Sequence, residues 1–144
     1  MNPNPRTLAL ALAILRISLG LFLLVWALEK FVIPQATVSI WGGFYGIAIG
    51  AAAPYVIGTL EALLALAILV GVWRRVSYGL GVLFHAISVG AGWKQLIDPW
   101  GLYLFDRPQH LFLAGVPVLA GFVVLYMLRD ADDWTIDGRR TRAP

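Results

Sequence analysis

Four long apolar runs constrain this chain more than any other feature of its sequence. They cover residues 8–28, where Arg16 interrupts the run, and residues 55–72, 76–92 and 111–128. Each approaches the roughly 20 residues that an α-helix needs to cross about 30 Å of hydrocarbon. We therefore predict an all-α integral membrane four-helix bundle, with helices over residues 8–31, 55–73, 76–93 and 110–128.

The rest of the composition agrees with a membrane protein of one domain. Hydrophobic residues make up 60% of the 144 residues and charged residues 13%, and the chain has no cysteine. An ordinary soluble domain is less apolar and more charged. Outside the four runs remain short loops and a polar tail over residues 129–144, too little for a second domain. Residues 1–144 are predicted to form a single transmembrane domain.

The distribution of cations predicts the orientation. With four spans, the amino end, the turn after the second helix and the tail lie on one side, and the two outer loops lie on the other. The first side carries seven arginines and the second only three cations. Lys and Arg near span ends favour the cytoplasm, so both termini and the tail are predicted to be cytoplasmic. The expected partner of this charge is the lipid bilayer, with its anionic lipids, and not nucleic acid. The seven are Arg6, Arg74, Arg75, Arg129, Arg139, Arg140 and Arg142; the three are Lys30, Lys94 and Arg107.

The segment over residues 33–54 is apolar but rich in helix-breaking residues. It contains four glycines and is bounded by Pro34 and Pro54. A fifth span here would place the turn at Arg74 and Arg75 and the Arg-rich tail on opposite sides. An interfacial or re-entrant segment after helix 1, with Trp41 at headgroup level, is the prediction that keeps the cations together.

Three ionisable residues, Arg16, Glu61 and His85, lie inside three of the apolar runs. At about 1.5 Å per residue, counting from the predicted cytoplasmic ends places all three between about 12 and 18 Å deep. A charge in hydrocarbon is costly, so we expect Arg16 and Glu61 to pair, with His85 beside them. The group either fastens the helices or relays protons in a catalytic role. Small residues at helical spacing, such as Gly20, Gly58 and Gly81, predict the inward faces.

A second polar layer lies at the predicted outer helix ends, where Lys30, Trp93, Lys94 and His110 fall. These side chains either snorkel to the membrane surface or bind the headgroup of a quinone, which needs donors beside an apolar cleft. The two histidines, His85 and His110, are predicted to lie too far apart along the bundle to share one haem. No ligand spacing typical of a metal site occurs, so neither haem nor metal is predicted.

Several short sequence patterns carry a resemblance to a known family. They are Arg16, Ile17, Ser18, Leu19, Gly20 and Lys30, then Gly58, Glu61, Leu69, Gly71, Arg74 and Arg75, and in the tail Trp134, Thr135, Ile136 and Asp137. These patterns are similar to those of the DoxX family of four-helix membrane proteins, and the resemblance covers all four runs. It implies a multi-pass protein of the bacterial or archaeal cell (inner) membrane, in some members a quinone-linked oxidoreductase subunit like that of thiosulfate:quinone oxidoreductase.

Three functions follow from these observations as expectations. The first is a quinone-interacting subunit that works beside a separate redox protein. The second is a non-catalytic membrane assembly or stability factor, whose polar residues only hold helices together. The third is a small proton-coupled transporter, in which Glu61 would carry the proton. A second copy of the chain is a further candidate partner.

Overall fold

The computed structural model describes residues 4–140, of which 78% are helical and none forms a strand. The end of the predicted tail, residues 141–144 with Arg142, lies outside the described residues, as do residues 1–3. This described part contains seven α-helices, one π-helical turn and two 3-10 turns. The α-helices are α1 (Pro5–Val32), α2 (Pro34–Ile40), α3 (Ala53–Val70), α4 (Arg74–Ala91), α5 (Trp93–Ile97), α6 (Gly115–Met127) and α7 (Ile136–Arg140); the turns are π-helical Trp41–Tyr45 and 3-10 His110–Ala114 and Arg129–Ala131.

Within residues 4–140, three helical stretches are long and apolar enough to span a membrane: Pro5–Val32, Ala53–Val70 and His110–Met127. They match three of the four predicted helices. The remaining predicted helix also forms, as α4. It is 18 residues long, the same length as α3. It is less apolar because it begins with Arg74 and Arg75 and contains His85.

Glycines allow the helices to approach closely in two antiparallel pairs. In the first pair, α1 packs along α3, with Gly20 against Leu69 at one end and Gly58 against Ala27 at the other. In the second, α4 packs along α6, where a Cβ atom on Gly81 would lie 2.9 Å from the ring of Phe122. Such contacts leave no room for a side chain. The prediction that these small residues mark inward faces is confirmed.

The two pairs meet around one buried apolar cluster. Outside it, much of the surface of the long helices is aliphatic and exposed. That surface is typical of helices surrounded by lipid, because in water so large an apolar area would favour association. The cluster consists of Leu19, Leu23, Leu64, Ala65, Ile68, Tyr78, Phe122 and Leu125.

The segment between α1 and α3 is too short in its helical part to form a fifth span. Helix α2 has 7 residues and the π-helical turn has 5, so 7 + 5 = 12 residues rise about 18 Å at 1.5 Å each. Residues 46–50 follow without helical structure. The interfacial or re-entrant position of the segment over residues 33–54 stays a prediction.

The described part of the predicted polar tail, residues 129–140, is folded against the helix ends. The 3-10 turn Arg129–Ala131 contacts α1, α4 and α6, and the backbone N–H of Asp137 donates to the carbonyl of Gly71, 3.2 Å away. Gly71 caps α3 in the left-handed conformation with φ 67°, and a Cβ atom there would overlap the side chain of Thr135. The tail therefore depends on a glycine at this turn.

Replacing Gly71 with alanine is expected to lower the free energy of unfolding by about 3 kcal/mol. The left-handed backbone contributes about 1–2 kcal/mol of this and the overlap with Thr135 the rest. Gly90→Ala is the matched control, because nothing lies within 4 Å of that position and alanine is favoured inside a helix. Thermal unfolding of both variants in the same detergent measures the difference. Equal midpoints would contradict the proposed packing of the tail.

Candidate functional site

Arg16 is buried, with 4% of its surface exposed, and its partner is in the tail. Its Nε lies 3.0 Å from Oδ2 of Asp132. Its Nη2 donates to the carbonyl of Trp134 at 2.7 Å, and its Nη1 donates to the carbonyl of Leu69. The predicted pair between Arg16 and Glu61 is therefore wrong. The guanidinium joins α1 to the last turn of α3 and to the tail.

Asp132 is the centre of this contact and is fully buried. The hydroxyl of Tyr78 on α4 donates to Oδ2 of Asp132 at 2.7 Å. Nη1 of Arg74 donates to the carbonyls of Asp132, at 2.7 Å, and Arg129, at 2.6 Å. A buried carboxylate is stable only with partners such as Arg16 and Tyr78, which both contact Oδ2. We call Arg16, Arg74, Tyr78 and Asp132 the tail clasp.

Glu61 pairs with Lys30 instead of Arg16. Nζ of Lys30 lies 2.6 Å from Oε2 of Glu61, and both side chains are mostly buried. The same Nζ donates to the carbonyl of Trp26 at 3.0 Å. Lys30 was predicted to bind a quinone headgroup. In the structure the carboxylate of Glu61 on α3 compensates its charge, and its binding to a quinone stays a prediction.

The helix register explains why the two charges do not meet. Because Gly20 of α1 faces Leu69 and Ala27 faces Gly58, Glu61 lies opposite the Lys30 end of α1. Eight residues, or about 12 Å along α3, separate Glu61 from Leu69, which bonds Arg16. The prediction of equal depth assumed that helix 1 enters the membrane at Leu8. In fact α1 begins at Pro5, and its first turns extend past the end of α3 towards the tail.

His85 occupies an aromatic pocket of its own. Its Nε2 donates to the carbonyl of Gly115 at 3.0 Å, so the other ring nitrogen carries no proton in the neutral form. The ring of Phe22 meets the imidazole edge-on at 5.5 Å, and Phe122 lies at 5.7 Å. Within residues 4–140, no hydrogen bond joins His85 to either ion pair. A relay through Arg16, His85 and Glu61 is not assembled in this conformation.

The remaining predicted headgroup residues, Trp93, Lys94 and His110, lie on the surface. Trp93 and Lys94 are exposed neighbours, with Nζ of Lys94 5.8 Å from the indole centroid. His110 is exposed at the start of a 3-10 turn. Trp93 and Lys94 therefore form a contact typical of snorkelling at a helix end.

A cleft of about 780 Å³ opens beside these residues, at the same end of the fold. Phe44 of the π-helical turn stacks on Phe112 at 5.7 Å across part of it. Gln95 of α5 also lines the cleft, and its buried Oε1 has no hydrogen-bond partner within the described residues. Sequence reasoning missed Gln95 although it directly follows Lys94. The lining residues are Phe44, Gln95, Leu104, Phe105, Asp106, Arg107, Gln109 and Phe112.

Comparison of the chain with known protein families, with curated proteins and with solved structures finds no match in any of the three. The resemblance to the DoxX family therefore stays a prediction. Among residues 4–140, no group of three or more His, Asp and Glu side chains is placed to hold a metal ion.

Proposed function

We propose that this chain is a DoxX-like, quinone-interacting subunit of a membrane oxidoreductase system. In this proposal α1, α3, α4 and the stretch His110–Met127, which contains α6, all span the cell membrane of a bacterium or archaeon, with both termini in the cytoplasm. Electrons come from a separate redox protein, and the quinone is the substrate that the chain binds. The cleft lined by Phe44, Gln95 and Phe112 is the observation that carries the proposal.

The distribution of side chains around α4 supports its assignment as the fourth span. Its buried residues include the polar Ser77 and His85, whereas Leu83 and Ile87 are exposed. This is the reverse of a helix on a water-soluble protein, where the apolar face is buried. Polar groups inside and aliphatic groups outside suit a helix in contact with lipid. Arg74 and Arg75 at its start then lie on the predicted cytoplasmic side.

The cleft has the size and chemistry that a quinone headgroup requires. Small-molecule sites generally enclose about 300–1,000 Å³, with apolar walls and a few polar groups. Here the stacked rings of Phe44 and Phe112 provide a flat aromatic wall. The carboxamide of Gln95 provides a donor and an acceptor at the wall of the cleft. Nε2 of Gln95 would donate to a ring oxygen of the quinone while the ring packs on the phenylalanines, and the unpartnered Oε1 would accept from the hydroxyl of the reduced form.

Replacing Gln95 with leucine is expected to weaken quinone binding about tenfold, because the leucine keeps the volume but removes one buried hydrogen bond. Quenching of tryptophan fluorescence by a short-chain quinone in detergent measures the affinity. Gln35→Leu is the control, since Gln35 is exposed on α2 and does not line the cleft. The proposal fails if quinone does not bind saturably, or if both variants bind it like the unmodified protein.

A non-catalytic assembly or stability factor is the second candidate, and the two ion pairs favour it. Arg16 is paired with Asp132, and Glu61 with Lys30, so each charge is compensated by a neighbouring segment. Such contacts hold α1, α3 and the tail in a fixed arrangement without requiring a reaction. The quinone measurement separates the candidates, because a factor of this kind needs no saturable site for a small molecule.

A further inference from the structure

The loop that follows α5 is closed by the side chain of one aspartate. Asp98 is buried, and its two carboxylate oxygens accept the backbone N–H groups of Leu102, at 2.8 Å, Tyr103, at 3.0 Å, and Leu104, at 2.7 Å. Burial alone would raise the pKa of Asp98, but these donors outweigh it and hold the pKa below its ordinary value. The carboxylate therefore stays charged, and the loop stays closed, at neutral pH.

Backbone contacts close the other side of the same loop. The N–H of Gln109 donates to the carbonyl of Pro99 at 2.8 Å, and that of Gly101 to the carbonyl of Asp98 at 3.2 Å. Gly101 has φ 71°, and a Cβ atom there would overlap the backbone of Arg107. The loop is thus an ordered structure, in which several backbone N–H groups are bonded within the loop itself.

This ordered loop exposes apolar side chains. Tyr103 is 86% exposed and Leu102 71% exposed, and Ile97 and Trp100 are also mostly exposed. A groove of about 480 Å³ lies between them. Charged Asp106 and Arg107 line the neighbouring cleft and not this groove. A rigid patch of aromatic and aliphatic groups without an exposed charge is typical of a contact surface.

We propose that residues 97–103, the aromatic loop, insert into the boundary between headgroups and acyl chains of the outer leaflet. The proposal rests on the membrane-spanning part of the proposed function, but not on quinone. The same loop leads into His110–Met127, a candidate span of which only 11% is buried within the fold. The apolar patch is therefore continuous along the chain with a helix whose surface must be covered by lipid.

The polar groups of the loop favour lipid over a soluble protein as the occupant. Entering the membrane boundary is costly for an unbonded backbone N–H, and here Asp98 satisfies three of them. Trp and Tyr are the residues enriched at this depth, because each has an apolar ring and one polar group. The aromatic loop would thereby anchor the outer end of the fold and hold the neighbouring cleft at headgroup level.

The cysteine-free chain allows a direct test with a single labelled residue. Tyr103→Cys carries an environment-sensitive fluorophore, and the protein is reconstituted into phosphatidylcholine vesicles whose acyl chains are brominated near the carbonyl end. Val25→Cys is the control for lipid contact, since Val25 is exposed on α1, and Asp130→Cys is the control for water. We expect the label at 103 to reach at least half of the quenching of the label at 25, and to resist aqueous iodide, unlike the label at 130.

Adding Asp98→Ala to Tyr103→Cys tests whether the closed loop places the side chain. Loss of the three hydrogen bonds is expected to reduce lipid quenching to less than half and to increase quenching by iodide. The inference is overturned if the label at 103 behaves like the label at 130 while the label at 25 is quenched by lipid. If the label at 25 also escapes lipid quenching, the spanning arrangement itself is wrong. Neither outcome depends on the quinone measurement.

Discussion

Asp132→Ala is expected to lower the free energy of unfolding by about 3–5 kcal/mol, because it leaves the buried guanidinium of Arg16 without its counter-ion. Arg16 is 4% exposed and Asp132 fully buried, so water cannot replace the lost carboxylate. The hydroxyl of Tyr78 loses its acceptor in the same variant. The loss is a large share of the 5–15 kcal/mol that stabilises a typical protein. Equilibrium unfolding in mixed micelles of mild detergent and SDS measures it.

Asp130→Ala is the matched control for this prediction. Asp130 is two residues away in the same turn, and its side chain is 85% exposed beside Arg129. Its removal is expected to change stability by less than about 0.5 kcal/mol, as for most surface substitutions. The double variant Arg16→Met with Asp132→Leu removes both charges and is expected to recover part of the stability. Equal effects of Asp132→Ala and Asp130→Ala would show that the tail clasp does not hold the tail.

The tail clasp could not be predicted from the sequence because nothing local marks Asp132. Asp130, Asp132 and Asp133 occur within four positions of a polar segment, and only the fold determines which of them is buried. The sequence did show that Arg16 needs a counter-ion. It suggested Glu61 because both charges lie in apolar runs. Asp132 was not predicted because it belongs to a polar tail, which gives no local sign of packing against the helices. The partner of Arg16 comes from the tail, which packs on the ends of the helices and not between them.

The helices themselves were predictable, because long apolar runs and helix-breaking residues are local signals. The start and end of α3 and α4 lie within three residues of the predictions, and Gly20, Gly58 and Gly81 mark the contacts that small residues indicate. The cleft was not predictable in the same way. Its walls come from the π-helical turn, α5, the loop after it and the 3-10 turn before α6, which only the tertiary structure brings together. Short-range sequence patterns do not indicate which distant segments will pack together to form a cleft.

Glu61→Gln is expected to lower the free energy of unfolding by about 3 kcal/mol, the lower end of the range for a broken buried pair, since both side chains keep slight exposure. The amide preserves the shape of the carboxylate but leaves the charge of Lys30 unpaired. The bond from Lys30 to the carbonyl of Trp26 remains, which limits the loss. This variant distinguishes the functions as well. A structural pair loses stability, whereas a proton-carrying group loses activity while stability is retained.

Glu29→Gln is the control, because Glu29 precedes Lys30 and forms no ion pair within residues 4–140. The double variant Lys30→Met with Glu61→Met is expected to be more stable than Glu61→Gln, since no unpaired charge remains inside the fold. Unfolding of the three variants is measured in the same micelles, and quinone binding in parallel. If Glu61→Gln unfolds like Glu29→Gln, the pair is not structural, and the role of Glu61 as proton carrier is the hypothesis that then has to be tested by activity.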